Sequence, residues 1–183
     1  TSSNKIYDCL WIARAEHWKQ PALFFELATR NPLLNFLMIC PNLSKKFSKA
    51  DYELLIEKAS KLKNLRFIEH VGYAEIFTYL HSGKVFCCTS TAEGDLPMSI
   101  LEAAVVGLPI LLLSINNYIE NPEENGIGIH CQNDIAVMSL KLNECLQNPE
   151  KHNEFSGKAK AYVQTHHHKD KVIESFKRMV SLQ

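Results

Sequence analysis

Residues 90–109, S-T-A-E-G-D-L-P-M-S-I-L-E-A-A-V-V-G-L-P, constrain the fold more than any other stretch of the chain. They follow V-F-C-C at 85–88, a short, apolar, β-prone run that reads as a buried strand. A polar turn holding Glu93 and Gly94 comes next. Pro97 suits the first turn of a helix, because the N–H it lacks would be orphaned there in any case. The spacing predicts a helix over 97–106, apolar on nearly every side and therefore buried. Gly107 is placed to end that helix with a positive φ, and Pro109 leads into an I-L-L-L strand at 110–113. The unit is strand, loop, helix, strand.

The rest of the chain repeats the alternation. Further strands are predicted at 6–13, 33–40, 65–69 and 127–131. Helices are predicted at 21–30, with Leu23, Phe24 and Leu27 inward, and at 51–61, with Leu54, Leu55 and Lys58 about a turn apart. A short helix at 74–81 should end at Gly83. Asp134 should cap a helix running to Gln147, and Asn148-Pro149 should open one running to about Gln164. Asp170 should cap a last helix carrying Val172, Ile173, Phe176 and Val180. About six strands and six helices predict an α/β fold: a doubly wound, mostly parallel six-stranded sheet with helices on both faces, Rossmann-like. Residues 115–126 are turn-rich and read as a surface loop bordering the site. No repeat or low-complexity linker divides the 183 residues, so a single domain is expected.

Some residues carry chemistry. Arg14 and Lys19 fall where the first strand gives way to its helix, the edge at which open α/β sheets bind ligands. An Arg fork and a Lys point charge there could clamp a diphosphate, or both could be solvated surface cations. Glu102 is a carboxylate on an otherwise apolar helix, which is costly unless it finds donors. Those donors are either nearby backbone or the hydroxyls of a ligand close to the helix N-terminus. That terminus also favours a phosphate through its free N–H groups. His17, between the two cations, could reach a phosphate. His166, His167 and His168 are adjacent, so they cannot all face one metal on a helix, and they read as a solvated junction. The fingerprint G-x-G-x-x-G is absent, which argues against NAD, and there is no H-E-x-x-H, nucleophile elbow or Walker loop.

The pattern S-x-x-E-G-x-x-P followed by L-E-A-x-x-x-G-x-P resembles the signature of family-4 (group 1) glycosyltransferases. The resemblance implies a GT-B enzyme, in which two Rossmann-like domains face each other and the C-terminal one holds a nucleotide-diphosphate sugar. In that family the first of two glutamates contacts the donor sugar and the second the ribose hydroxyls, which implies those roles for Glu93 and Glu102. Seven residues separate the pair in the family and eight separate them here. The extra residue belongs in the loop around Asp95, which could take part of the sugar contact. The resemblance further implies that Arg14 and Lys19 hold the donor phosphates, with Ala13 standing where the family has glycine. Gly72 and Tyr73 become candidates for the base side. Gly94, Asp95, Pro97, Met98 and Ser99 are expected to line the donor at the helix entry. Cys40-Pro41 departs from the family's glycine-containing strand end, and Asn125-Gly126-Ile127-Gly128 resembles an N-G-x-x turn element. The implied function is the donor-binding half of a retaining glycosyltransferase. It should need no metal or cofactor beyond the donor, and its acceptor, a glycan, lipid or other molecule, should reach it through an N-terminal domain absent from this chain. Alone it should bind donor and transfer nothing. The loop insertion and Ala13 also fit an inactive, glycosyltransferase-like binding module. A receiver-type signalling domain would need acidic residues where Ala13-Arg14 stand.

Composition narrows the classes. A chain of this length buries ~70% of its unfolded surface, enough for a substantial core. Lys+Arg and Asp+Glu are 20 each, and zero net charge argues against a general nucleic-acid or anionic-membrane binder. The six cysteines include no C-x-x-C and are expected to be reduced, in a cytoplasmic protein. No signal peptide is visible. The apolar run at 99–115 is broken by Glu102, Gly107 and Pro109, which makes it a poor membrane span. A start at Thr1, with a strand a few residues later, predicts a piece of a longer protein with another Rossmann-like half upstream.

Overall fold

The computed structural model describes residues 5–91, 96–114, 124, 126–168 and 170. In chain order these form β1 (Tyr7–Ile12), a 3-10 turn (His17–Lys19), α1 (Pro21–Arg30), β2 (Phe36–Ile39), α2 (Lys49–Ser60), β3 (Leu65–Ile68), α3 (Tyr73–His81) and β4 (Gly83–Cys88). They continue with α4 (Met98–Val105), β5 (Ile110–Leu112), β6 (Ile129–His130), α5 (Ile135–Gln147) and α6 (Pro149–His166). The strands make one sheet in the order β3-β2-β1-β4-β5-β6, and each neighbouring pair is parallel. This is the expected Rossmann-like order, with the chain first winding outward from β1 to β3 and then returning to β4 on the other side.

The apolar runs of the strands divide by parity between two cores, as a period of two requires. Cys9, Trp11, Phe36, Met38, Val85, Cys87 and Leu111 pack with Phe24 and Leu27 of α1, Tyr52 and Leu55 of α2, and Met138 and Leu142 of α5. Leu10, Ile12, Leu37, Ile39, Phe86, Cys88, Ile110 and Leu112 pack with Leu80 of α3, Ile100 and Ala103 of α4, and Ala159 and Tyr162 of α6. A sheet covered on both faces needs near-continuous hydrophobic strands, which is why V-F-C-C and I-L-L-L carry no polar alternation. Each fully buried Leu, Ile or Phe contributes about 1.5–3 kcal/mol. Phe24 meets Phe36 edge-on, with ring centroids 5.5 Å apart, a favoured aromatic geometry.

Helix ends follow their chemistry. Asp134 accepts from the N–H groups of Ala136 at 2.6 Å and Val137 at 3.4 Å, and Asn148 accepts from Lys151 N–H at 3.0 Å. Gly107 ends α4 at φ 76°. The Gly107 N–H donates to Ala104 O and the Leu108 N–H to Ala103 O, each at 2.9 Å, a Schellman closure that turns the chain straight into β5.

Several expectations need correction. In α4, Pro97 is the N-cap rather than a helical residue. The helix is buried on one face only, through Ile100, Ala103 and Ala104, while Met98 and Val105 are 64% and 52% exposed. In α2 the inward residues are Tyr52, Leu55 and Ala59, which share one face, while Leu54 is 48% exposed and Lys58 is exposed; the Tyr52 hydroxyl also donates to Cys40 O at 2.6 Å. In α1, Phe25 and Ala28 are buried as well. Gly83 does not stop α3; it is the first residue of β4, where a Cβ would run into the side chain of Leu10. Strand β2 starts at Phe36, leaving Leu33 95% exposed. Strand β6 is only Ile129–His130. The helix expected after Asp170 and most of the 115–126 loop lie outside the described residues.

Two glycines give opposite expectations. Gly107→Ala forces a side chain into the left-handed region and against Lys160 and Ser156, so urea unfolding should show a loss of about 1–2 kcal/mol. Gly157 lies inside α6 with open space around it, and Gly157→Ala should add about 0.5–1 kcal/mol.

Candidate functional site

Adjacent strands β1 and β4 lead into helices on opposite faces, α1 on one and α4 on the other. Their connecting loops therefore diverge and leave a crevice at the carboxyl edge, the position where open α/β sheets hold ligands. A cleft of about 610 Å³ occupies that position. Ala13, Arg14 and Lys19 line it from the loop after β1, and Pro41 and Leu43 from the loop after β2. His70, Val71 and Tyr73 line it from the exit of β3 and the start of α3, and Pro97, Met98 and Ser99 from the entry to α4. Leu43, Tyr73 and Met98 are more than half exposed at this edge. Exposed apolar side chains gathered at a cleft mark a surface that a ligand covers.

The cationic loop is held by its backbone. Ala15 N–H donates to Pro41 O at 2.9 Å, and Lys19 N–H donates to Glu16 O at 3.1 Å. Gln20 turns the chain through the left-handed region at φ 48°, and Pro21 then opens α1. Arg14 is exposed and Lys19 half-buried. Two further bonds tie this loop to the exit of β4: the Thr91 N–H donates to Trp18 O at 2.9 Å, and the Thr89 hydroxyl donates to Lys19 O at 2.6 Å. Sequence reasoning missed Thr89, because a single Thr after a strand carries no motif. It also missed Glu16, which is buried and whose Oε2 has no hydrogen-bond partner among the described residues.

At the other wall, α4 has Pro97 at its N-cap and no side-chain cap among the described residues. The first N–H groups of a helix have no intrahelical acceptor, and here they open beside Met98 and Ser99, which line the cleft. An anion is the natural partner of such a terminus.

Glu102 is half-buried on α4 and is not itself a lining residue. The side chain of Tyr73, which does line the cleft, is the polar group that acts on its carboxyl. Burial pushes the Glu102 carboxyl above the ordinary carboxylate range, and the bond from Tyr73 partly opposes that rise. The charge of Glu102, and then the bond to it, push the Tyr73 phenol upward. The Tyr73 ring stands edge-on to Phe77, with centroids 6.3 Å apart.

The cleft thus brings together Arg14, Lys19, Tyr73, Pro97, Met98 and Ser99, with Glu102 joined through Tyr73. Gly72 is the N-cap of α3 and does not line the cleft; its N–H donates to Glu75 Oε2 at 2.8 Å. Glu93, Gly94 and Asp95 lie outside the described residues. His17 does not reach the cleft. It packs on Phe47, with ring centroids 4.9 Å apart, over a separate hollow of about 470 Å³ between α1 and α2. His166 and His167 pack on Tyr162. Among the described residues no group of three or more His, Cys, Asp or Glu could hold a metal ion, and no helix is long and apolar enough to cross a membrane.

Comparison with known proteins gives the same reading. The family described as "Glycosyl transferases group 1" matches residues 3–162. The O-antigen biosynthesis glycosyltransferase WbnH of Escherichia coli is 27% identical over 143 residues, covering 78% of this chain and 39% of the relative. The chain therefore spans about two fifths of the length of that curated relative. The crystal structure of Anabaena HepE in complex with UDP superposes with a TM-score of 0.81 at 15% identity, covering 97% of this chain and 50% of that one. The C-terminal domain of the group 1 protein LpcC from Francisella tularensis superposes with a TM-score of 0.68 at 17% identity, covering 86% of this chain and 84% of that one. The group 1 pattern covers most of the chain and sits on the GT-B type of Rossmann-like sheet, so the chain belongs to the glycosyl transferases group 1 family.

Proposed function

We propose that this chain is the donor-binding half of a retaining glycosyltransferase that takes a sugar from a nucleotide diphosphate. The observation that carries the reading is convergence: two cations and an uncapped helix N-terminus face one cleft at the reversal point of the sheet. A diphosphate offers the charge and the acceptor oxygens that such a cleft needs. Arg14 and Lys19 would offset the charge that grows on the leaving diphosphate, and the α4 N–H groups would add to this; being preorganised, they lose little in reorganisation. Glu102, presented through Tyr73, would accept from the ribose hydroxyls. Glu93 or Asp95 would orient the sugar. Tyr73, Leu43 and Val71 offer apolar surface to the base. UDP is the first nucleotide to try, since HepE was crystallised with it.

In this reading the donor binds without metal, and the acceptor arrives on a second Rossmann-like domain encoded upstream. The match to an isolated C-terminal domain supports that placement. The whole protein would work in the cytoplasm, where six buried free cysteines stay reduced. One further reading has a specific observation behind it. Ala13 and the longer loop between Glu93 and Glu102 also suit a module that binds nucleotide without turnover.

Calorimetry with UDP, GDP and ADP tests the proposal. One of the three should bind, and Arg14→Ala should weaken it about 10- to 100-fold, the worth of a charge-assisted hydrogen bond. If none binds, the donor reading fails. The isolated chain should show no sugar transfer, and measured transfer would contradict the division of labour.

The pH dependence has a defined sign. Only the ionised Glu102 carboxylate accepts from both ribose hydroxyls. Burial raises its folded-state value, so affinity should fall on acidification at a higher pH than the ~4.3 of an exposed glutamate. That limb should be missing in Glu102→Gln, whose affinity should be lower and flat across the same window.

A further inference from the structure

We infer that Thr89 is a positioning residue that sets where Lys19 meets the donor phosphates; the inference rests on the donor reading above. Thr89 is fully buried, one residue beyond the end of β4. Its hydroxyl stands in a chain of bonds with only one possible direction. The Trp11 indole can only donate, and its Nε1–H reaches Thr89 Oγ1 at 2.9 Å. That contact uses the oxygen as an acceptor and leaves its one proton for a carbonyl. The proton goes to Lys19 O at 2.6 Å, with Gln20 O at 3.2 Å as the weaker share. Both carbonyls belong to the turn where Gln20 takes a left-handed conformation, so the hydroxyl holds the segment that departs furthest from regular structure.

The consequence is directional. With the Lys19 carbonyl held into the core, its side chain lines the cleft. The bond from Thr91 N–H to Trp18 O, 2.9 Å, holds the preceding residue to the same exit segment. The loop that carries Lys19 is thus anchored at two points on the segment leaving β4. Trp11 roots that anchor in the core beneath α1, against Phe24 at a centroid distance of 6.3 Å. A misplacement of a charge by about 1 Å is enough to lose most of its effect on a bound group.

The test separates positioning from packing. The nucleoside diphosphate that binds best among UDP, GDP and ADP is compared with its own monophosphate, by calorimetry, on the chain and its variants. Thr89→Val, of the same shape but without the hydroxyl, should lower the diphosphate-over-monophosphate preference about 10-fold. Thr89→Ser should keep it within about 2-fold. Met138→Ala, a core truncation in α5 far from the cleft, should lower the melting temperature and leave the preference intact. In a Lys19→Ala background, Thr89→Val should have no further effect on the preference. If the valine chain does not fold, Thr89→Cys, with a weak S–H donor of similar size, should show an intermediate loss. An unchanged preference in Thr89→Val, or an equal loss in Met138→Ala, overturns the role of Thr89 alone. A chain that binds none of the three diphosphates overturns the donor reading, and this inference with it.

Discussion

The adjacency of β1 and β4 is the constraint on which the molecule depends. Parallel neighbours need a crossover of about a dozen residues or more, so each strand must be followed by one. The first three strands wind one way and the last three the other, and only at β1–β4 do the exits part. The groups named above as lining the cleft sit on the loops that leave the carboxyl edge or on the first turns of the helices those loops enter. The opposite edge is used differently. There Asp8 accepts from Asn35 N–H at 2.8 Å and pairs with Lys84 at 2.7 Å, while Asn64 donates to the carbonyls of Ala28, Asn31 and Leu34. Polar groups at the amino edge are used to join structure to structure. At the carboxyl edge, Arg14 and Lys19 line an open cleft instead.

Electrostatics in the cleft are graded rather than uniform. The cations sit on the loop after β1, and the described carboxylate, Glu102, sits on α4 with burial opposing its charge. Tyr73 mediates between this acid and the cleft and is itself raised by the acid. A carboxylate placed at the surface of the cleft would weaken the pull of Arg14 and Lys19 on an anion. Glu102 is set back on α4, apart from the loop that carries Arg14 and Lys19. The separation follows from α3 and α4 packing on the same face of the sheet, opposite to α1. The hollow beside His17 lies between α1 and α2, away from the reversal point of the sheet.

Much of this was legible in the sequence, and the reasons are physical. Buried parallel strands must be uniformly apolar, so V-F-C-C and I-L-L-L stood out. Caps and closures use few residue types, so Asp134, Asn148 and Gly107 could be assigned in advance. The resemblance carried Arg14 and Lys19 to the same cleft as Pro97, Met98 and Ser99. Side-chain rotation about an axis was harder to read. The inward face of α2 is Tyr52, Leu55 and Ala59, with Leu54 left at the surface, and an apolar residue at the edge of a stripe does not tell from spacing alone which side it falls on. Gly83 looked like a stop signal, and it is a strand residue whose missing Cβ makes room for Leu10, a neighbour far away in sequence. Thr89 and Glu16 were invisible for the same reason: their significance lies in partners, or the lack of them, across the fold. Tyr73 was legible as a cleft residue, but its bond to Glu102 depends on how α3 meets α4.

Ala13 shows how the core limits what a departure from the family pattern can do. A methyl at this point should crowd a ligand's approach. Yet Ala13 is held in the sheet, its N–H donating to Ile39 O at 3.2 Å, and its side chain packs against the apolar cluster beneath α1. The added carbon is therefore shared between the cleft wall and the core. The loop after residue 13 is fastened inside the protein, by Thr89 and Trp11. The parallel sheet, through adjacent β1 and β4, is what brings this loop and the exit of β4 to a common point.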